Sequence, residues 1–282
     1  VKASLPSGRK IKIGICEWAF PLAGPYSCKI AAALGLEGIE LDLGSYEQGF
    51  PLANQVAQQA YREAGAQWGI SFPSIAINAL CAYGMTNPEN SEPRKIALAA
   101  IHKGIDAAEA LQIPIVQLPS FKDGEIKNET DFQLTAQCLK NACQYAKTKG
   151  IVIGTENVLS AEDNLRMLDE VGQANLKIFF DTQNPYLWHK YDVAAMIRKI
   201  GLSICEVHVK DGNGIMSGAL LGKGESGFYQ SLAALQEINY SGWLHLENYY
   251  NRPPLNSGNE DPFELLKQDI GTLKEALIKL NY

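Results

Sequence analysis

The chain has 282 residues, of which 46% are hydrophobic and 20% charged, with a formal net charge of −6. This is ordinary globular usage and excludes wholesale disorder. The acidic balance, with a sequence pI near 5.4, counts against a surface that wraps nucleic-acid phosphates or lies on an anionic membrane.

β-rich runs alternate with helical stretches throughout. Strands are expected over 11–19, 38–43, 70–78, 115–120, 151–157, 176–184, 204–211 and 242–248, and helices near 26–35, 52–68, 92–111, 129–149, 161–172, 191–200, 226–238 and 261–280. In the last helix Leu265, Leu266, Ile270, Leu273, Leu277 and Leu280 form a stripe expected to face a core. Eight strand–helix units predict an α/β fold, the (β/α)8 TIM barrel. A doubly wound sheet would carry a Gly-rich phosphate turn after its first strand. The turn here, CEWAFPLAGPY, contains neither GxGxxG nor GxxxxGK[ST]. No composition break divides the chain, so a single domain over 1–282 is expected. The six cysteines form no CxxC pair and read as buried free thiols of a reducing compartment. The N-terminus lacks the apolar stretch of a signal peptide, and no run reaches the roughly 18 apolar residues of a membrane span. A cytoplasmic location is therefore expected.

Polar residues stand at the C-terminal ends of four successive expected strands: Glu156 (GTEN), Asp181 (FFDTQN), His208 (VHVKD) and Glu247 (LHLEN). In a parallel barrel those ends meet at the catalytic face. Strand alternation turns Asp181, His208 and Glu247 inward together, because their outward partners, Val207, Val209, Ile178, Phe180, Leu244 and Leu246, are apolar. Three carboxylates converging in a closed space either take up protons or bind a cation. With one imidazole, the set suits Mn²⁺, Mg²⁺ or Co²⁺ better than the nitrogen and sulfur ligands of structural zinc.

With GLEGIEL (35–41), the later LGKGE (221–225) and GWLHLEN, these segments make the chain resemble the xylose isomerase-like barrels of sugar isomerases and epimerases, nearest in pattern to ketose 3-epimerases of the D-tagatose 3-epimerase type. The resemblance implies that Glu156, Asp181, His208 and Glu247 hold one divalent ion, Mn²⁺ first, with Mg²⁺, Co²⁺ or Zn²⁺ also admissible. Glu156 and Glu247 would double as the acid/base pair, and Glu162 falls where these epimerases have a glutamate that contacts substrate. Two positions depart from the pattern: Asn184 stands where the epimerases usually have a substrate-binding histidine, and Gly214 where they have an arginine. The implied partner is a small carbohydrate, free or phosphorylated, with no nucleic acid and no membrane, and the implied assembly is a homodimer or homotetramer.

The expected chemistry is proton transfer at C3 of a ketose, where a cation bridging two substrate oxygens stabilises the enediolate and two carboxylates work on opposite faces. The same apparatus would serve an isomerase or an inosose-type dehydratase. A non-catalytic sugar or metal sensor is a further reading. An endonuclease IV-like nuclease is disfavoured, because it needs many histidines and this acidic chain has four.

Several other residues are candidates for substrate contact. Trp18 could stack on a sugar or sit in the core, and Glu17 and Asn78 could read hydroxyls. Lys210 could meet a substrate oxygen or phosphate, or pair with Glu206 or Asp211. Lys223 could reach a phosphate or be a solvated loop lysine. Glu206 and His245 are expected one inward step below the ligands, His102 at the surface, and His189 in a loop that could fold over the site.

Overall fold

β-branched and aromatic residues favour strands, and each strand sends alternate side chains to opposite faces. The computed structural model describes residues 11–282; residues 1–10, which hold most of the segment read for a leader and the start of the expected domain, lie outside the described residues. The strands are β1 (Ile11–Cys16), β2 (Gly38–Asp42), β3 (Ser74–Ala76), β4 (Ile115–Pro119), β5 (Val152–Glu156), β6 (Leu176–Asp181), β7 (Ile204–Val209) and β8 (Gly242–Leu246). All neighbours pair in parallel, and β8 returns to β1 with Ile15 opposite Leu246, so the sheet closes in sequence order. The expected (β/α)8 barrel is what the chain forms.

Around the barrel run α1 (Ser27–Ala33), α2 (Gln55–Trp68), α3 (Glu92–Leu111), α4 (Glu129–Lys147), α5 (Ala161–Val171), α6 (Asn184–His189), α7 (Val193–Ile200), α8 (Phe228–Glu237) and α9 (Pro262–Lys279). Ser91, Asn128, Ser160, Asp192 and Asp261 cap α3, α4, α5, α7 and α9 through their side-chain oxygens, each cap worth about 1 kcal/mol. The core lies between sheet and helices: Ile15, Ile39, Val116, Ile153 and Val207 on the outer sheet face are completely buried, as are Leu266 and Leu273 of the α9 stripe.

Two differences from the expected elements bear on the site. β3 spans three residues rather than 70–78. Pro73 cannot donate to the ladder, and beyond Ala76 the chain turns into a 3₁₀ segment at Asn78–Cys81. Strand β6 ends at Asp181, where a strand to 184 was expected, because the Asp181 carboxylate accepts the backbone N–H groups of Gln183 and Asn184 and so folds the chain into α6. Pro185 follows in the first turn, a position suited to its missing N–H. All six cysteines are free thiols. No helix of the described residues is long and apolar enough to cross a membrane.

Candidate metal centre and its cavity

The parity of the strands decides what the barrel encloses. Cys16 pairs with Glu40 across β1 and β2, and Asp181 with His208 across β6 and β7, so these side chains share the inner face near the C-terminal ends. Glu156, Asp181, His208 and Glu247 each offer a ligand atom, and the four atoms all lie within 4.8 Å of one another. Donors about 2.0–2.2 Å from one ion lie up to roughly 4.4 Å apart, so the set fits a single cation after shifts of a few tenths of an ångström. The four predicted ligands are therefore brought together.

The imidazole of His208 is completely buried and held at both nitrogens. Nδ1 lies 3.3 Å from Glu156 Oε1 and 3.3 Å from Glu247 Oε2, and Nε2 lies 2.6 Å from Glu40 Oε2. Nδ1 thus faces the ligand carboxylates, while Glu40 stands behind the ring as the carboxylate that fixes its orientation. Phe179 supports the ring from below at a centroid distance of 4.5 Å. Cys16 donates its thiol to Glu40 at 3.4 Å.

Lys210 adds a second buried cation. Its Nζ lies 2.5 Å from Glu247 Oε2 and 3.0 Å from Asp181 Oδ2. Its partners are thus two candidate ligands, not Glu206 or Asp211. Four carboxylates, Glu40, Glu156, Asp181 and Glu247, share this buried region with the two cationic side chains Lys210 and His208. Burial pushes the Glu156 and Asp181 carboxyls up. Glu247 goes the other way: burial alone would raise it, but the Lys210 and His208 charges outweigh that and hold it down at about 2. Burial would lower His208, yet Cys16, Glu247, Glu40 and Glu156 around it keep it well above its ordinary range. Lys210, likewise opposed by burial, is kept high by Asp181 and Glu247. The excess of carboxylates over cations is what a divalent ion would balance.

Above this cluster opens a cavity of about 700 Å³, within the range of small-molecule sites. Of the four candidate ligands, Glu156 and Glu247 line it, whereas Asp181 and His208 lie beneath. Both glutamates are braced. Trp18 Nε1 donates to Glu247 Oε1 at 2.9 Å, and the Gln117 amide donates to Glu156 Oε2. Trp18, Asn78, Asn184 and Lys210, the residues expected to contact substrate, also line the cavity. The Oδ1 of Asn184 is buried without a hydrogen-bond partner. Asn78 bonds the Asp42 carboxyl, which burial pushes up to about 6.

Other expected contacts lie elsewhere. Glu162 is a correction: it sits in the first turn of α5 on the outer surface, paired with Lys199 of α7, because β5 ends at Glu156 and the intervening residues carry the chain away from the barrel mouth. Val158 lines the cavity instead. Glu17 turns to Tyr61 and to the amides of Gly24 and Asp42, securing the loop after β1 beside a smaller cavity. Lys223 is exposed, and His102 packs on Tyr145 outside the barrel. His189 ends α6, exposed and stacked on Tyr191. Glu206 and His245 lie below the cluster as expected, bonded to each other at 2.9 Å, and the Ser74 hydroxyl donates to Glu206 at 2.7 Å. Gly14 makes room for them, since a Cβ there would stand 2.6 Å from His245 Nδ1.

Glu40, Gln117 and Cys16 were not singled out by sequence reasoning. Glu40 carried a usable signal, because an acid between Ile39 and Leu41 can point only into the barrel.

Comparison with known proteins agrees with this geometry. The family profile described as the xylose isomerase-like TIM barrel matches residues 28–276. The chain belongs to this family. Among curated proteins, this xylose isomerase-like barrel is 29% identical over 228 residues to 2-epi-5-epi-valiolone 7-phosphate 2-epimerase of Actinoplanes sp., covering 80% of this chain and 82% of that protein. Among solved structures it resembles L-ribulose 3-epimerase (17% identity, TM-score 0.79, 96% and 95% covered) and D-psicose 3-epimerase from Clostridium cellulolyticum H10 (16% identity, TM-score 0.77, 95% and 99% covered). These relatives are carbohydrate epimerases, and the xylose isomerase-like barrel here is an enzyme of the sugar isomerase and epimerase group with a candidate buried metal site.

Proposed function

We propose that the protein is a divalent-metal-dependent ketose 3-epimerase. The observation that carries this reading is that only Glu156 and Glu247, of the four candidate ligands, line the cavity. One glutamate removes the C3 proton and the other returns a proton from the opposite face, which inverts the carbon without a redox cofactor. Trp18 and Lys210 hold Glu247 in place, and Gln117 holds Glu156. The free acceptor of Asn184 takes a substrate hydroxyl. Lys210 sets its ammonium beside the substrate oxygens. A divalent ion held by Glu156, Asp181, His208 and Glu247, Mn²⁺ by preference, would supply Lewis-acid stabilisation of charge on those oxygens.

The test is proton NMR of ketoses and inososes incubated with the protein in D₂O, with and without Mn²⁺. Metal-dependent deuterium incorporation at C3, abolished by Glu247→Gln, is the expected outcome. Label at C2 would favour the second reading, a 2-epimerase of a cyclic ketone, which the name of the Actinoplanes relative supports. Metal binding without exchange in any compound would overturn both.

A further inference from the structure

An anion-binding site in barrels of this kind is often built from the loops after strands 7 and 8. Here the loop after β7 is glycine-rich, and its amides have the spacing of an anion cradle. They are already occupied: Asp211 accepts the backbone N–H groups of Gly212 at 2.9 Å, Gly222 and Gly224 at 3.0 Å and Ser226 at 3.3 Å, together with the Ser226 hydroxyl at 2.7 Å. The chain's own carboxylate closes this cradle to a ligand, and Lys223 within it is turned to solvent.

Positive charge reaches the cavity from two other loops. Lys122 follows β4 and Arg252 follows β8, strands that stand opposite each other in an eight-strand ring; both side chains are exposed and both line the cavity. Neither has a carboxylate within 4 Å among the described residues, whereas the exposed cations Lys127, Arg166 and Arg198 each have one. Glu125, an acid of the cavity wall three residues along the chain from Lys122, is matched by Lys127 at 3.5 Å. The Arg252 guanidinium lies over the Tyr249 ring at 3.8 Å, which fixes its plane at the mouth. Lys122 takes φ 53°, a left-handed conformation that costs a non-glycine residue energy and is usually tolerated where a side chain is being aimed. The cavity is thus polarised, with acids at the floor around the candidate metal centre and two unpaired cations at the rim.

We infer that Lys122 and Arg252 form the two jaws of a phosphate subsite, so that the substrate is a phosphate monoester of a polyhydroxy ketone with its carbonyl end at Glu156 and Glu247. The inference rests on the proposed function for the polyhydroxy ketone and on the rim charges for the phosphate. Arginine supplies a planar fork that matches phosphate oxygens, and lysine a point charge.

Binding separates this inference from the catalytic reading. Quenching of the cavity tryptophans Trp18 and Trp188 in the Mn²⁺-loaded protein would be titrated with D-fructose 6-phosphate, D-tagatose 6-phosphate and D-ribulose 5-phosphate, each against its free ketose. A phosphorylated member should bind at least about tenfold more tightly than its free counterpart, the value of one charge-assisted contact. Inorganic phosphate should compete with it. Lys122→Gln and Arg252→Gln are surface changes that leave folding intact. Each should remove about tenfold for the phosphate ester and leave the free ketose within about twofold. No discrimination in any pair, binding of neither member included, overturns the subsite, as does discrimination that persists in the double variant. Discrimination without deuterium exchange would overturn the proposed reaction and keep the subsite; exchange without discrimination would do the reverse.

Discussion

Glu40 shows how much of this site depends on a residue that contacts no substrate. Its carboxylate lies 2.6 Å from His208 Nε2 and fully buried, so it selects the ring orientation that leaves Nδ1 toward Glu156 and Glu247. A carboxylate behind a ligand histidine also raises the basicity of the ring, and loss of such partners typically costs 10–100-fold in metal affinity. Glu40→Gln keeps the shape and one hydrogen bond but removes the charge. Isothermal titration with Mn²⁺ should show affinity falling by roughly 10–100-fold while all four ligands remain; an unchanged affinity would mean that packing on Phe179 alone orients the ring. Legibility at this scale divides on geometry. The convergence of the four candidate ligands was readable because each stands at or next to the C-terminal end of a strand, and for Asp181, His208 and Glu247 the outward neighbours are apolar. Glu162 was carried over by its offset from Glu156, and the offset did not survive the start of α5. Lys210 had the right inward parity, but its partners come from two other strands, and no local pattern names them.

At the scale of elements, the loops after β7 and β8 are tied to α9 through one buried acid. Asp269 accepts the Leu221 N–H at 2.8 Å, the Asn248 amide at 2.7 Å and the Tyr250 hydroxyl at 2.9 Å. Asn248 follows the candidate ligand Glu247 directly, so this knot sets where β8 delivers that glutamate. Burial pushes the Asp269 carboxyl up to about 6 despite the three donors, which act to lower it. The folded state therefore holds a proton here that the unfolded chain, with an ordinary carboxyl near 3.9, has already lost. Between about pH 4 and 6 the native form binds more protons than the unfolded one, so this group's contribution falls as pH rises and the penalty is complete above pH 6. Asp269→Asn removes that titration. The stability of the wild type relative to the variant should drop by about 2 kcal/mol from pH 4 to pH 7, measured by urea unfolding at each pH. A difference that stays flat with pH would show that the three donors satisfy the ionised form fully. The acid was not visible in the sequence, where it looked like one more polar position of α9; its partners lie 48, 21 and 19 residues away along the chain.

For the whole molecule, the barrel itself was the most legible feature, because eight alternations of strand and helix leave few topologies and β1 pairing with β8 follows from closure. The boundaries that failed are those where a side chain interrupts the backbone pattern: Pro73 before β3, and the Asp181 carboxylate that starts α6. Pro73 stands at the N-terminal end of β3, whereas Asp181 stands at the mouth of the barrel, where regular structure gives way to the site. The energetic consequence concerns the whole fold. Four carboxylates and two cations are buried together, and a charged cluster of this kind is costly to dehydrate unless it is compensated. A divalent ion that binds the native centre and not the unfolded chain should add stability as RT ln(1 + [M]/Kd), about 4 kcal/mol at a thousandfold excess over Kd. A chain of this size gains roughly 2–4 °C per kcal/mol. Mn²⁺ should therefore raise the melting temperature of EDTA-stripped protein by roughly 10 °C, with the shift growing as the logarithm of metal concentration. Asp181→Asn, which removes a candidate ligand beneath the cavity, should flatten that dependence. If the melting temperature of the stripped protein does not move with Mn²⁺, Mg²⁺, Co²⁺ or Zn²⁺, then Lys210 and the His208 imidazolium already neutralise the cluster as far as the fold requires, and the cation on which the proposed chemistry depends is the protein's own ammonium.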